Sequence, residues 1–136
     1  MSHFVTIKTQ IREREALLAA LRDLGYEFNE ARDGDHLEVH GDSTATRNGN
    51  EKADIVVLNS TEFGIGLRKE GDEYIVIADW FNIELGGGPR RQVFAGRLQQ
   101  RYAYHVVLEQ ARQQNLIVEE ERQEDGELVI VLSERG

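Results

Sequence analysis

FGIGLRKEGDEYIVIAD, residues 63–79, is the stretch on which the fold turns. Two apolar-rich runs, Phe63 to Lys69 and Tyr74 to Asp79, flank Glu70-Gly71-Asp72, and glycine accepts the left-handed backbone that a tight turn between antiparallel strands needs. A central hairpin is therefore predicted. Upstream, Ala53 to Leu58 is a compact β-branched run and reads as a further strand. Asp42 to Lys52 before it is polar and reads as a loop. Tyr26 to Arg32 and Leu37 to His40 flank Asp33-Gly34-Asp35, which predicts a second hairpin. Residues Ser2 to Gln10 alternate with His3, Val5 and Ile7 on one side, the two-residue period of a strand. Between these strands, Leu17, Leu18, Leu21 and Leu24 recur at helical spacing over Glu13 to Leu24, and Gly25 supplies a C-terminal residue that takes positive φ.

Downstream of Asp79-Trp80, the chain reads as a linker to Gly86-Gly87-Gly88-Pro89. A second helix is predicted from near Pro89, which tolerates a first helical turn, to about Asn115. Leu116 to Gln123 and Glu127 to Leu132, joined by Asp125-Gly126, complete a last hairpin. The order β-α-β-β-β-β-β-α-β-β predicts an α+β fold in one domain over residues 1–136. Its mainly antiparallel sheet of about seven to eight strands would carry both helices on one face. Both helices precede a hairpin with a similar turn, so an internal duplication and chance similarity of two Asp-Gly turns stand side by side.

Composition narrows the function. The 136 residues include no cysteine, which removes disulfides, thiol nucleophiles and thiolate metal ligation. No apolar run approaches the length that spans a bilayer, and the opening residues lack the basic and apolar blocks of a cleavable signal, so no membrane role and a cytoplasmic location are expected. The net charge is −9, but it is unevenly spread. Between Arg90 and Asn115 five arginines face one acid, Glu109, leaving that segment at +4 and the other residues, with 11 basic and 24 acidic, at −13. Nucleic-acid binding is disfavoured by so acidic a surface, because its affinity comes from Lys and Arg displacing counterions.

On a helical wheel the second helix shows two apolar arcs. Phe94, Leu98, Tyr102, His105 and Val106 fill one, Val93, Tyr104, Val107, Leu108 and Ala111 the other, with Arg97, Arg101 and Arg112 along a boundary. Two arcs call for cover on two sides, by the chain itself or by a partner. Tyr104, Arg97 and Arg101 are the contact candidates, since aromatics and arginine are enriched among residues that dominate interface energy. Gly86-Gly87-Gly88 before Arg90 and Arg91 has the form of an anion cradle at a helix start, though a plain linker fits the same glycines and no nucleotide fingerprint is present. His36 and His40 sit too far apart along a strand to share a metal. No cofactor, metal site or catalytic motif is read, and whether the chain is an enzyme stays open.

Several blocks together resemble a known family. These are Met1-Ser2-His3-Phe4 with Lys8-Thr9-Gln10-Ile11-Arg12, Leu24-Gly25-Tyr26, Ala78-Asp79-Trp80, and Gln100-Arg101-Tyr102-Ala103-Tyr104-His105. In this order the set is similar to the ycf-thirty-five-type family of small plastid, cyanobacterial and bacterial proteins, a domain of unknown function. The resemblance implies plastid stroma or bacterial cytoplasm. Through gene context it also implies an accessory role beside a protein partner such as an AAA-type ATPase or a ferredoxin-like protein. Two functions are expected in that order: a non-catalytic interaction domain docking through the second helix, and a small-molecule or anion-binding domain with a site near Asp79, Trp80, Arg90, Arg91 and His105.

Overall fold

The computed structural model describes residues 4–41 and 51–134. The chain runs β1 (Val5–Lys8), α1 (Arg14–Asp23), β2 (Phe28–Glu30), β3 (Leu37–Val39), β4 (Glu51–Ala53), β5 (Ile55–Val57), β6 (Ile65–Glu70), β7 (Glu73–Ala78), α2 (Trp80–Leu85), α3 (Arg91–Gln113), β8 (Leu116–Glu124) and β9 (Glu127–Glu134). The α+β class with antiparallel sheets stands as predicted. Among the described residues, however, the strands divide into three sheets rather than one: β1-β7-β6-β5-β2, β3-β4 and β8-β9.

The central hairpin forms as its turn chemistry requires, with Gly71 at φ 64 and Glu70 opposite Glu73. Its alternation divides the core. Ile65, Leu67, Tyr74, Val76 and Ala78 join Ile55 and Val57 on the face covered by Leu17, Leu18 and Leu21 of α1, Trp80 and Ile83 of α2, and Phe94 and Leu98 of α3. Val56 and Ile77 point the other way, toward Val39 and Ala53 of the β3-β4 ribbon. The sheet is thus covered on one face by helices and on the other by that ribbon.

Four local expectations are corrected. Phe28–Glu30 and Leu37–Val39 do not form a hairpin: β2 pairs with β5 and β3 with β4. The Asp33-Gly34 turn does form, with Gly34 at φ 82 and Asp35 N–H donating to the Arg32 carbonyl at 2.9 Å. It redirects the chain instead, because β5 is buried on both faces and needs a second neighbour, whereas β3 has one apolar face and packs onto the sheet. The proposed duplication falls with this hairpin. The run Ala53 to Leu58 is split at Asp54, whose carboxylate accepts from Lys69 N–H at 2.7 Å while its own N–H donates to the Leu67 carbonyl at 2.9 Å. Of the expected loop Asp42 to Lys52, residues 42–50 lie outside the described residues and Glu51 and Lys52 are strand; of the expected first strand, Ser2 and His3 lie outside the described residues.

The fourth correction concerns the linker after Asp79, which contains a helix. Asp79 caps α2 by accepting from Asn82 N–H at 3.3 Å and Asn82 Nδ2 at 2.9 Å, the role for which aspartate is favoured at a helix start. The three glycines then end the same helix. Gly87, at φ 85, donates to the Glu84 carbonyl at 3.1 Å and Gly88 to the Ile83 carbonyl at 2.8 Å, the paired bonds of a Schellman stop. Pro89 precedes α3 by two residues rather than sitting in its first turn. Among the described residues no helix is long and apolar enough to cross a membrane.

Candidate functional site

The residues singled out in the sequence fall into two groups, one at the start of α3 and one at its middle. At its start, Asp79 and Trp80 are buried, Trp80 packing on Phe94 with ring centroids 5.8 Å apart, while Arg90 and Arg91 are exposed. The amides of Gly86, Gly87 and Gly88 are all donated to carbonyls of α2, so the glycine run is a helix terminus and offers no amide cradle for an anion. Arg91 N–H donates to the Glu84 side chain at 3.3 Å. His105 lies elsewhere, since 14 residues of helix separate it from Arg91 by about 21 Å.

The second group centres on Asp23, at the end of α1. Its Oδ2 accepts from Arg101 Nε at 2.7 Å and lies 2.5 Å from His105 Nε2. Arg101 and His105 are one turn apart on α3, so both reach the same carboxylate. The Arg101 guanidinium stacks over the Tyr104 ring at 4.0 Å, and Tyr104 meets His105 edge-on at 5.1 Å. A hydrogen bond to Glu121 of β8 raises the Tyr104 hydroxyl above the ordinary phenol range, burial adding to it and Arg101 opposing. One turn back, the Tyr102 hydroxyl accepts from the N–H groups of Arg12 and Glu13, both at 3.0 Å, which satisfies donors at the start of α1. Arg101, Tyr102, Tyr104 and His105 therefore bind α1, α3 and the last hairpin into one unit. Asp23 is not marked in the sequence, because nothing local distinguishes an acid that pairs 78 residues away.

Asp23 carries a pH signature. Burial works against its charge, but the hydrogen bonds from Arg101 and His105 outweigh that and hold the carboxyl below the usual aspartate range. A folded-state value depressed in this way stabilises the protein above the unfolded value of about 3.9, and the contribution disappears as pH falls through the lowered one. Asp23→Asn is expected to cost about 1 kcal/mol or less at pH 7, since a carboxylate a third exposed is screened by water, and nearly nothing near pH 2. Urea unfolding at both pH values reads the difference; equal losses would sink the assignment.

The second apolar arc of α3 is covered by the chain's own β8-β9 hairpin, which folds back along it. The cover is incomplete. Gly96, Gln100, Ala103, Tyr104 and Val107 on α3 face Gly126, Leu128 and Ile130 across an open groove of ≈ 550 Å³. Val93 stays 43% exposed at the same helix, and Ile117 and Val118 37% and 36% on the hairpin. Arg97, two turns before Tyr104 on α3, is exposed, its charge is felt at the Tyr26 hydroxyl and, among the described residues, it has no carboxylate within ion-pair distance, as is true of Arg90 and Arg91. Arg101 and Arg112 are paired, with Asp23 and Glu109. Among the described residues no group of three His, Asp or Glu side chains is placed to hold a metal ion.

Comparison with known proteins places the chain. Residues 20–131 match the family described as protein of unknown function DUF1257. Two relatives, each named "Uncharacterized protein ycf35", are 29% identical in Pyropia yezoensis and 30% identical in Cyanophora paradoxa, in both cases over 97% of this chain and 96% of theirs. No solved structure matches. The chain belongs to the DUF1257 family, which is the ycf35-type family its sequence blocks resemble.

Proposed function

We propose that this member of the DUF1257 family is a non-catalytic interaction domain that docks a protein partner in the groove between α3 and the β8-β9 hairpin. The observation that carries the reading is the open, mainly apolar groove along α3 together with an exposed Arg97 two turns before Tyr104 on the same helix, with no carboxylate at ion-pair distance among the described residues, in an otherwise acidic protein. Apolar contacts from Tyr104, Val107, Leu128 and Ile130 would supply the desolvated centre of the interface, and Arg97 a charged rim that selects an acidic partner surface. Arg101 contributes from behind by holding the Tyr104 ring in place. An AAA-type ATPase and a ferredoxin-like protein are the first partners to test, in the cytoplasm or a plastid stroma.

Because Arg101 also holds Asp23, reversing its charge would disturb the fold as well as the surface. Arg97→Glu and Ala103→Glu touch exposed positions only. Each is expected to reduce partner recovery in a pull-down about tenfold, the effect of roughly 1.4 kcal/mol, with melting temperature unchanged. Unchanged recovery with both variants would remove the groove from the interface.

A further inference from the structure

The β8-β9 hairpin forms a sheet of its own, so among the described residues each strand has one unpaired edge. The two edges differ in kind. β8 carries Glu119, Glu120, Glu121 and Glu124 and is irregular between Val118 and Glu120, features that discourage pairing with another strand. β9 has none of these safeguards over Leu128 to Leu132, and all five of those side chains are only half-buried.

That run reads Leu128-Val129-Ile130-Val131-Leu132, the same in both directions. Two copies laid antiparallel about Ile130 would place Leu128 opposite Leu132, Val129 opposite Val131 and Ile130 opposite itself. Beyond the run, Glu127 would face Ser133 and Glu134 would face Gly126, so no acid meets an acid. Backbone polarity fits the same register. Asp125 at φ 49 and Gly126 at φ 81 form a two-residue turn of the type whose flanking pair, Glu124 and Glu127, is hydrogen-bonded. Alternation from there turns the N–H and C=O groups of Val129 and Val131 toward β8 and those of Leu128, Ile130 and Leu132 outward. The outward set is the one that the two-fold register pairs with itself.

We infer that β9 is a self-association edge, at which a second copy of this chain pairs antiparallel about a two-fold axis through Ile130 and joins the two hairpins into one four-stranded sheet. Such an interface is isologous: each contact occurs twice. Each copy carries −9, so association strengthens as salt screens their repulsion. The inference does not rest on the docking reading, for the groove lies on the α3 face of the hairpin and this edge along its side.

The absence of cysteine makes the register directly testable. In the two-fold arrangement Val129 and Val131 of opposite copies form a pair with Cα atoms about 4.5 Å apart, within disulfide reach. Two copies of either position alone lie roughly 7 Å further along the strand and fall outside it. Mixing Val129→Cys with Val131→Cys under mild oxidation is expected to give a covalent dimer several-fold above either variant alone, and sedimentation of the unaltered chain at high micromolar concentration to show a dimer that increases with salt. Ile130→Pro, which removes an outward N–H together with the Ile130 side chain at the groove, is expected to leave a monomer with an unchanged circular dichroism spectrum, while Ile130→Ala, which keeps the N–H, is expected still to dimerise. A monomeric unaltered chain, equal crosslinking in single and mixed samples, or a dimer that survives the proline would each overturn the inference; so would an edge that takes up a strand of a different protein while the chain stays monomeric.

Discussion

Phe94→Ala is expected to lower the unfolding free energy by about 3–5 kcal/mol, a large share of the roughly 5–15 kcal/mol that holds a domain of this size together. Phe94 is 2% exposed, and its ring meets Tyr26 edge-on at 5.3 Å and Trp80 at 5.8 Å. These three aromatics join the exit of α1, the start of α2 and the first turn of α3, so no single element can move in to fill the space an alanine would leave. The cost therefore combines lost burial with a retained cavity. Urea unfolding compared with the unaltered chain measures it, and a loss below about 1 kcal/mol would show that the three rings do not form a shared core.

Gly66→Val is expected to act on the opposite face. Gly66 lies in β6 under the β3-β4 ribbon, where even a Cβ would stand 2.4 Å from Val39 Cγ2 and 3.1 Å from both Ala53 Cβ and Ile77 Cγ2. Room could come only from lifting the ribbon, since Ile77 belongs to the neighbouring strand of the same sheet. A cost at or above the upper end of about 1–3 kcal/mol follows from overpacking. Hydrogen exchange should accelerate at residues 37–39 and 51–53 well before it does in β6 and β7. Uniform acceleration throughout the main sheet, or no change in stability, would contradict this packing.

The features legible in the sequence are those set by short-range chemistry. The turns at Gly71 and at Asp125-Gly126 were readable because few residues accept positive φ, and α1 and α3 because their apolar spacing has only one regular solution. The row Arg97, Arg101, Tyr104 was placed together by helical period alone. A signal for α2 was also present: Asp79 caps it, and Trp80 and Ile83 are three residues apart and both buried. It was obscured by the glycines that follow, which resemble a linker until their hydrogen bonds are known. The sequence leaves the anion-cradle alternative open there for the same reason, since it shows amides but not which carbonyls consume them.

The candidate site was half legible. Its α3 residues and the last hairpin are legible, but that the hairpin forms the groove's other wall, and that Asp23 gathers Arg101 and His105, are not. By itself the sequence determined an antiparallel α+β chain with a long two-faced helix, because backbone sterics and side-chain period act over a few residues. Only the tertiary structure decided that β2 pairs with β5, that β3 and β4 leave the main sheet, and that the last hairpin lies along α3 with β9 at its edge. Strand partners are chosen by which apolar faces remain uncovered after everything else has packed. That competition runs over the whole chain and has no local sign.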